Sequence, residues 1–128
     1  MKIIVNESLP NNEECANSLK NVLDALYVIN GKWKLAVILC LVQSSKRFNE
    51  LQHEITGISS KVLAKELKDL ELNDFITRTV YSTTPVNIIY EATEYSRTLK
   101  NVIGELSYWG EQHREKIKQS MRSQSRNL

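Results

Sequence analysis

The chain has 128 residues, of which 41% are hydrophobic and 25% charged, and these values are ordinary for one soluble globular domain. The longest unbroken apolar run, residues 35–42, is too short to span a membrane, and the N-terminus lacks the apolar stretch of a secretory signal. We therefore expect a cytoplasmic protein with no membrane partner. The net charge is +2, and residues 44–88 carry six basic and six acidic side chains. Any electrostatic binding must come from how these charges are distributed.

Few residues suit catalysis or metal binding. The two cysteines, Cys15 and Cys40, are too far apart in sequence for a disulfide framework or a zinc motif, and Cys40 lies in an apolar run where it should pack in the core. The two histidines, His53 and His113, have no ligand or triad pattern around them, and no glycine-rich phosphate loop is present. We expect no metal, no cofactor and no enzymatic activity.

The first half of the chain predicts an arm and three helices. Residues 1–12 are polar and read as an arm, and a helical pattern runs from residue 13 to a stop at 30–31. Residues 32–42 are apolar almost all round and predict a helix buried from several sides, at the centre of the core. Residues 47–55 predict a short third helix. The first helix has one apolar stripe, formed by Cys15, Leu19, Val22, Leu23, Leu26 and Ile29.

Residues 57–73 predict a helix with two different faces. Ile58, Val62, Leu63, Leu67 and Leu70 form an apolar stripe, whereas Lys61, Lys65 and Lys68 share another face. Gly57 can end the preceding helix in the left-handed conformation, and Ser59 or Ser60 can cap the new one. Two helices joined by a tight turn, the second with a basic outer face, indicate a helix-turn-helix DNA reader. The alternative is that the lysines form an ordinary solvated face.

The second half predicts a β-hairpin and one long helix. Alternating residues in 75–81 and 86–90 predict two strands joined by the turn-rich residues 82–85. Thr93 then caps a last helix, and residues 120–128 form a polar tail. The expected fold is mainly α with a small β-hairpin, a winged helix-turn-helix domain at 13–119 with additional N- and C-terminal helices.

Four segments of the chain resemble one known family. INGKWKL at 29–35, RFNEL at 47–51, GISSKVLAKELKDLE at 57–71 and TRTVYSTTPVNIIYEATEYSRTL at 77–99 are similar to motifs of the HxlR family of bacterial winged-helix transcriptional regulators. The resemblance runs from about residue 15 to residue 109. It implies a homodimer that binds double-stranded DNA and can respond to oxidants or electrophiles.

The resemblance also assigns roles by position. It implies that the 57–73 helix enters the major groove, that the terminal helices form the dimer and that the hairpin touches the DNA backbone. The implied DNA contacts are Ser59, Ser60, Lys61, Lys65 and Lys68, with Arg47 at a phosphate and Thr83 and Thr84 at the wing tip. From the residues alone, Arg47 is equally an ordinary exposed side chain.

The chain departs from the family pattern at three positions. Asn87 stands where the wing usually has a basic residue, and Ser96 where a glycine usually follows the second strand. The family's N-terminal cysteine usually stands thirteen residues before the tryptophan of GKW. Here that position holds Lys20, and Cys15 lies five residues earlier.

Two further hypotheses concern the terminal helices. Their stripes are longer than a core of this size can cover, so Leu19, Leu23, Leu26, Leu106 and Trp109 are candidates for a two-fold interface; alternatively they only close the monomer core. Cys15 lies in the first helical turn, where the helix dipole favours a reactive thiolate, and is a candidate redox sensor. Against this, two adjacent glutamates disfavour the thiolate, and a cysteine on an apolar stripe is most often a packing residue.

The sequence thus predicts a sequence-specific DNA-binding transcriptional regulator that binds a palindromic operator as a homodimer, with an unknown effector. One alternative is a winged-helix protein-interaction module that does not bind DNA. A more distant alternative is a small-molecule-binding protein whose terminal helices enclose a pocket.

Overall fold

The computed structural model describes residues 12–126, which form six helices and one two-stranded sheet. The predicted mainly α fold with a small β-hairpin is confirmed. The arm predicted at 1–12 lies outside the described residues except for Asn12, the first residue of the first helix. The elements are α1 (Asn12–Ile29), α2 (Lys34–Gln43), α3 (Phe48–Glu54), α4 (Ser60–Leu72), β1 (Ile76–Tyr81), β2 (Asn87–Ala92), α5 (Glu94–Arg97) and α6 (Lys100–Arg126).

The core is built around α2, as predicted. Val37, Ile38 and Leu41 of α2 are almost fully buried, and residues from α3, α4 and both strands pack around them. Leu39 is 43% exposed, so α2 is not covered on every side. Cys40 is half-buried and packs against this core.

The turn between α3 and α4 adopts a glycine-dependent conformation. Gly57 has φ +89°, in the left-handed region that glycine populates without steric cost. Ser59, and not Ser60, is the N-cap, because its Oγ accepts a hydrogen bond from the Val62 backbone N–H at 3.1 Å. These two features fix where α4 begins relative to α3.

The hairpin follows α4 and is joined to the start of α3. β1 and β2 are antiparallel, with Ile76 opposite Ala92 at the base and Tyr81 opposite Asn87 at the tip. The Lys46 N–H donates to the Tyr90 carbonyl at 3.0 Å, and the Tyr90 N–H donates to the Lys46 carbonyl at 2.8 Å. The hairpin is therefore anchored beside the helix-turn-helix.

The prediction of one continuous last helix after Thr93 is wrong. Thr93 does cap a helix, with its Oγ1 accepting from the Ser96 N–H at 3.2 Å, but α5 ends at Arg97 and α6 begins at Lys100. The Thr98 hydroxyl donates to the Tyr95 carbonyl at 2.6 Å, and such local side-chain bonds compete with the continuous helical ladder. The fully buried Ser96 donates to the Thr93 carbonyl at 2.8 Å, which further fixes this corner.

The C-terminal end of the last helix also differs from the expectation. The sequence predicts a polar tail from residue 120, but α6 continues to Arg126. The polar tail predicted at 120–128 therefore begins inside α6, and the domain boundary at 119 stays a prediction. Among residues 12–126 no single helix is long and apolar enough to cross a membrane; only α1 and α2 together, across a 75° bend, pass on length and composition.

Candidate nucleic-acid interface

The outer face of α4 carries three exposed lysines. Lys61, Lys65 and Lys68 lie on the side of α4 opposite the buried Leu63, Leu67 and Leu70. Lys61 and Lys68 form no ion pair with any residue in the described range 12–126. Their ammonium groups are available to an anionic partner.

Lys65 differs from its two neighbours because acidic residues engage it. Its Nζ lies 3.2 Å from Asp69 Oδ2 and 3.7 Å from Glu66 Oε1. The hydrogen bond and charge of Asp69, followed by the charge of Glu66, raise the pKa of Lys65. The same hydrogen bond lowers the pKa of the Asp69 carboxyl. Lys65 must therefore exchange an intramolecular carboxylate for a phosphate if it is to contact DNA.

A nearly buried ion pair joins α4 to the start of α2. Lys34 Nζ lies 2.8 Å from Glu66 Oε2, and both side chains are only 11% exposed. Lys34 is also 3.7 Å from Asp69 Oδ2. This network positions the lysine-bearing helix, and sequence reasoning missed it. The available signal was the phase of Glu66, which follows Leu63 by three residues and so lies close to the apolar stripe.

The hydroxyl groups of both candidate serines already form hydrogen bonds within the chain. Ser59 caps α4, as described above. Ser60 Oγ accepts from Gln52 Nε2 at 2.9 Å and donates to Gln52 Oε1 at 3.2 Å, which links α4 to α3. Both serines are exposed, so a hydroxyl contact to DNA would add to these structural roles.

The structure brings Arg47 close to the hairpin tip. Arg47, Thr83, Thr84 and residues 85–87 line one shallow surface depression. Arg47 is the N-cap of α3, where its backbone N–H donates to the Glu50 carboxylate at 2.8 Å, and its side chain is exposed. The Thr83 hydroxyl donates to the Pro85 carbonyl at 2.7 Å and shapes the turn. Three residues predicted to contact DNA thus share one surface region, with Arg47 as its cation.

The five residues predicted for a two-fold interface are not part of the monomer core. Each is more than half exposed in the single chain. In α1 only Ile29 is buried, and α6 leaves Tyr108, Ile117 and Met121 exposed as well. The alternative that these stripes only close the monomer core is therefore wrong. The five predicted interface residues are Leu19, Leu23, Leu26, Leu106 and Trp109.

The two cysteines have different surroundings. Cys15 is exposed in the first turn of α1, as the sequence placed it. Cys40 is half-buried, and burial, followed by the charge and hydrogen bond of Glu54, raises the pKa of its thiol. Residues 12–126 contain no group of three or more residues able to hold a metal ion.

The helix-turn-helix with its adjoining hairpin and basic α4 face defines a winged helix-turn-helix protein of the class that regulates transcription. A family model described as HxlR-like helix-turn-helix matches residues 28–118. The chain belongs to this HxlR-like family of transcriptional regulators.

Similar proteins cover most of the chain. The HTH-type transcriptional regulator YybR of Bacillus subtilis is 34% identical over 114 residues, which cover 89% of this chain and 86% of YybR. The redox regulator HypR in its reduced form is 33% identical with a TM-score of 0.71, covering 77% of this chain and 97% of that one. The reduced form of the transcriptional regulator YodB from B. subtilis is 36% identical with a TM-score of 0.64, covering 72% and 90%. YodB has also been solved in quinone-bound and diamide-treated forms.

Proposed function

We propose that this chain binds a palindromic DNA operator as a homodimer and thereby regulates transcription. The observation that carries the proposal is the exposed lysine face of α4, the second helix of a helix-turn-helix. The first residues of such a helix reach base edges in the major groove, whereas later ones reach phosphates. Lys61 is therefore assigned to base contacts, and Lys65 and Lys68 to phosphates. Such a protein acts where the DNA is, which for a bacterial regulator is the cytoplasm.

Exposed apolar residues on α1 and α6 support the homodimer. Contiguous apolar surfaces of this kind on a single chain mark protein interfaces. A two-fold arrangement of two copies would place their α4 helices about 34–36 Å apart, one turn of DNA, and would match a palindromic site. Through this interface of α1 and α6, a shift of one helix would change the distance between the two α4 helices of the dimer.

A response to oxidants or electrophiles through Cys15 forms a further part of the proposal. Cys15 is exposed and lies at the end of α1 whose apolar stripe is assigned to the dimer. Oxidation or addition of an electrophile makes the sulfur polar or bulky, which would shift α1. The relatives HypR, a redox regulator, and YodB, solved with a quinone bound, are consistent with this chemistry.

A protein-interaction module without DNA binding is the second candidate. The equal numbers of acidic and basic residues at 44–88 favour it, as does the pairing of Lys65 with Asp69. Salt dependence separates the two functions. DNA binding through phosphate contacts weakens as salt rises, and each phosphate contact contributes about one to the slope of log affinity against log salt. A module that does not bind DNA shows no such salt-dependent binding to a duplex.

The experiment is selection on random duplex DNA followed by affinity measurements on the selected site. Lys61→Ala should relax sequence preference, with a cost of about 1–3 kcal/mol. Lys68→Ala should weaken binding to all sequences alike and lower the salt slope by about one. Lys116→Ala, an exposed lysine on α6, is the matched control and should behave like the unchanged protein. Unchanged affinity in the triple alanine variant of the α4 lysines would refute the assignment.

A further inference from the structure

A groove separates α4 from the hairpin, on the same side of the molecule as the lysine face. Buried Leu67 and Tyr90 contribute to its lining, and three exposed charged residues, Lys68, Glu71 and Arg78, stand around it together with Ala64. Ala64 and Lys68 belong to the same α4 face as Lys61, because they follow it by three and seven residues. The groove is therefore continuous with the proposed DNA surface.

The position of Arg78 follows from the period of β1. Ile76 at the base of β1 is buried, and alternate residues of a strand share a face, so Arg78 lies on the hairpin face that packs toward α4. Its register partner is Tyr90, which is buried and bonded on its other edge to the Lys46 backbone. Arg78 therefore projects from a strand pair whose β2 edge is bonded to the Lys46 backbone.

The charges around the groove are uncompensated. Among the described residues that line the groove, Lys68 and Arg78 are cations and Glu71 is an anion. Within residues 12–126 none of the three forms an ion pair. The groove therefore carries a net positive charge, and its two cations come from the helix on one side and the strand on the other.

We propose that this groove binds a phosphate of the DNA backbone between Lys68 and Arg78, with Glu71 competing for the same two cations. The proposal rests on the proposed function and adds Arg78 and Glu71 to it. A helix in the major groove and a hairpin over the adjacent minor groove lie on either side of one sugar-phosphate strand. That strand must cross the gap between them, and the groove between α4 and β1 is this gap.

Two substitutions with opposite expected effects test the assignment. Arg78→Gln should weaken binding to specific and nonspecific duplexes alike, by about tenfold, and should lower the salt slope by about one. Glu71→Gln removes the competing anion and should tighten binding by about threefold without changing sequence preference. Arg78→Lys keeps the charge and should keep the slope. Arg114→Gln, an exposed arginine on α6, is the matched control.

The outcomes distinguish this inference from the function on which it rests. If the unchanged protein and the Arg114→Gln control show no salt-dependent binding to any duplex, both are overturned. If they bind but Arg78→Gln keeps both affinity and slope, only the groove assignment is wrong. An affinity of Glu71→Gln equal to that of the unchanged protein contradicts the competition. If Arg78→Gln fails to fold, the affinity of Glu71→Gln decides the matter.

Discussion

The ion pair between Lys34 and Glu66 predicts a large and measurable loss of stability. Lys34→Met keeps the length and apolar stem of the side chain but removes its charge. Glu66, with a side chain only 11% exposed, would lose the ammonium that lies 2.8 Å away. A carboxylate left almost buried without its partner loses much of the compensation for its desolvation.

The magnitude follows from the neighbours that remain. Removing one partner of a fully buried pair costs about 3–5 kcal/mol. Here Lys65 still lies 3.7 Å from Glu66 Oε1, although it is largely exposed and therefore well screened. We expect a smaller loss, of about 2–3 kcal/mol. This corresponds to a fall in Tm of about 8–12 °C for a domain of this size.

Thermal and urea unfolding at one fixed protein concentration measure this loss, since a dimer's stability depends on concentration. Lys116→Met, an exposed lysine replaced in the same way, should change stability by no more than about 0.5 kcal/mol. The double variant Lys34→Met, Glu66→Leu should recover most of the loss, because no charge is then left unpaired. A cost below about 0.5 kcal/mol for Lys34→Met would refute the reasoning.

Four further predictions follow from the site and the fold. Leu23→Asp should convert the proposed dimer to a monomer in sedimentation at micromolar concentration, and a monomeric unchanged protein would contradict the dimer. Diamide or a quinone should lower operator affinity in the unchanged protein but not in Cys15→Ser, and equal responses would exclude Cys15 as the sensor. Alkylation should be slower at Cys40 than at Cys15, and its rate should still rise above pH 9, because burial and Glu54 raise the pKa of Cys40 from 9.0. Gly57→Ala should cost about 1–2 kcal/mol in urea unfolding, because φ is +89°, a backbone conformation that disfavours any side chain. No steric clash adds to this cost, since an added Cβ meets nothing closer than the Trp33 ring at 4.0 Å. An unchanged midpoint of unfolding would show that the turn adapts.

Local sequence patterns predicted the helices and strands because each type of element has its own spacing of apolar residues. The apolar stripe of residues 58–70 predicted α4, the alternation at 75–81 predicted β1, and Gly57 predicted the turn. Each of these signals lies within about fifteen neighbouring residues, the range over which periodicity carries information. The break after Arg97 had no such signal, because it depends on hydrogen bonds from Ser96 and Thr98 within a folded corner.

Pairings between distant segments could not be read in the same way. Lys34 and Glu66 are 32 residues apart, and nothing in either segment indicates the other. The joining of Lys46 to Tyr90, which places the hairpin beside α3, is equally nonlocal. The sequence therefore predicted which residues lie on the outer face of α4 but not what holds that face in place.

The neutral charge of the central region illustrates the difference between a sum and a distribution. Six acidic residues at 44–88 balance six basic ones, which on its own favours a protein that does not bind DNA. In the folded chain, however, Glu66 turns inward to Lys34, and Asp69 lies between Lys34 and Lys65. Lys61 and Lys68 are left on the outer face without intramolecular partners among residues 12–126. Because Glu66 and Asp69 contact Lys34 at the inner edge of α4, the helix can leave Lys61 and Lys68 unpaired within residues 12–126, in a segment whose total charge is zero.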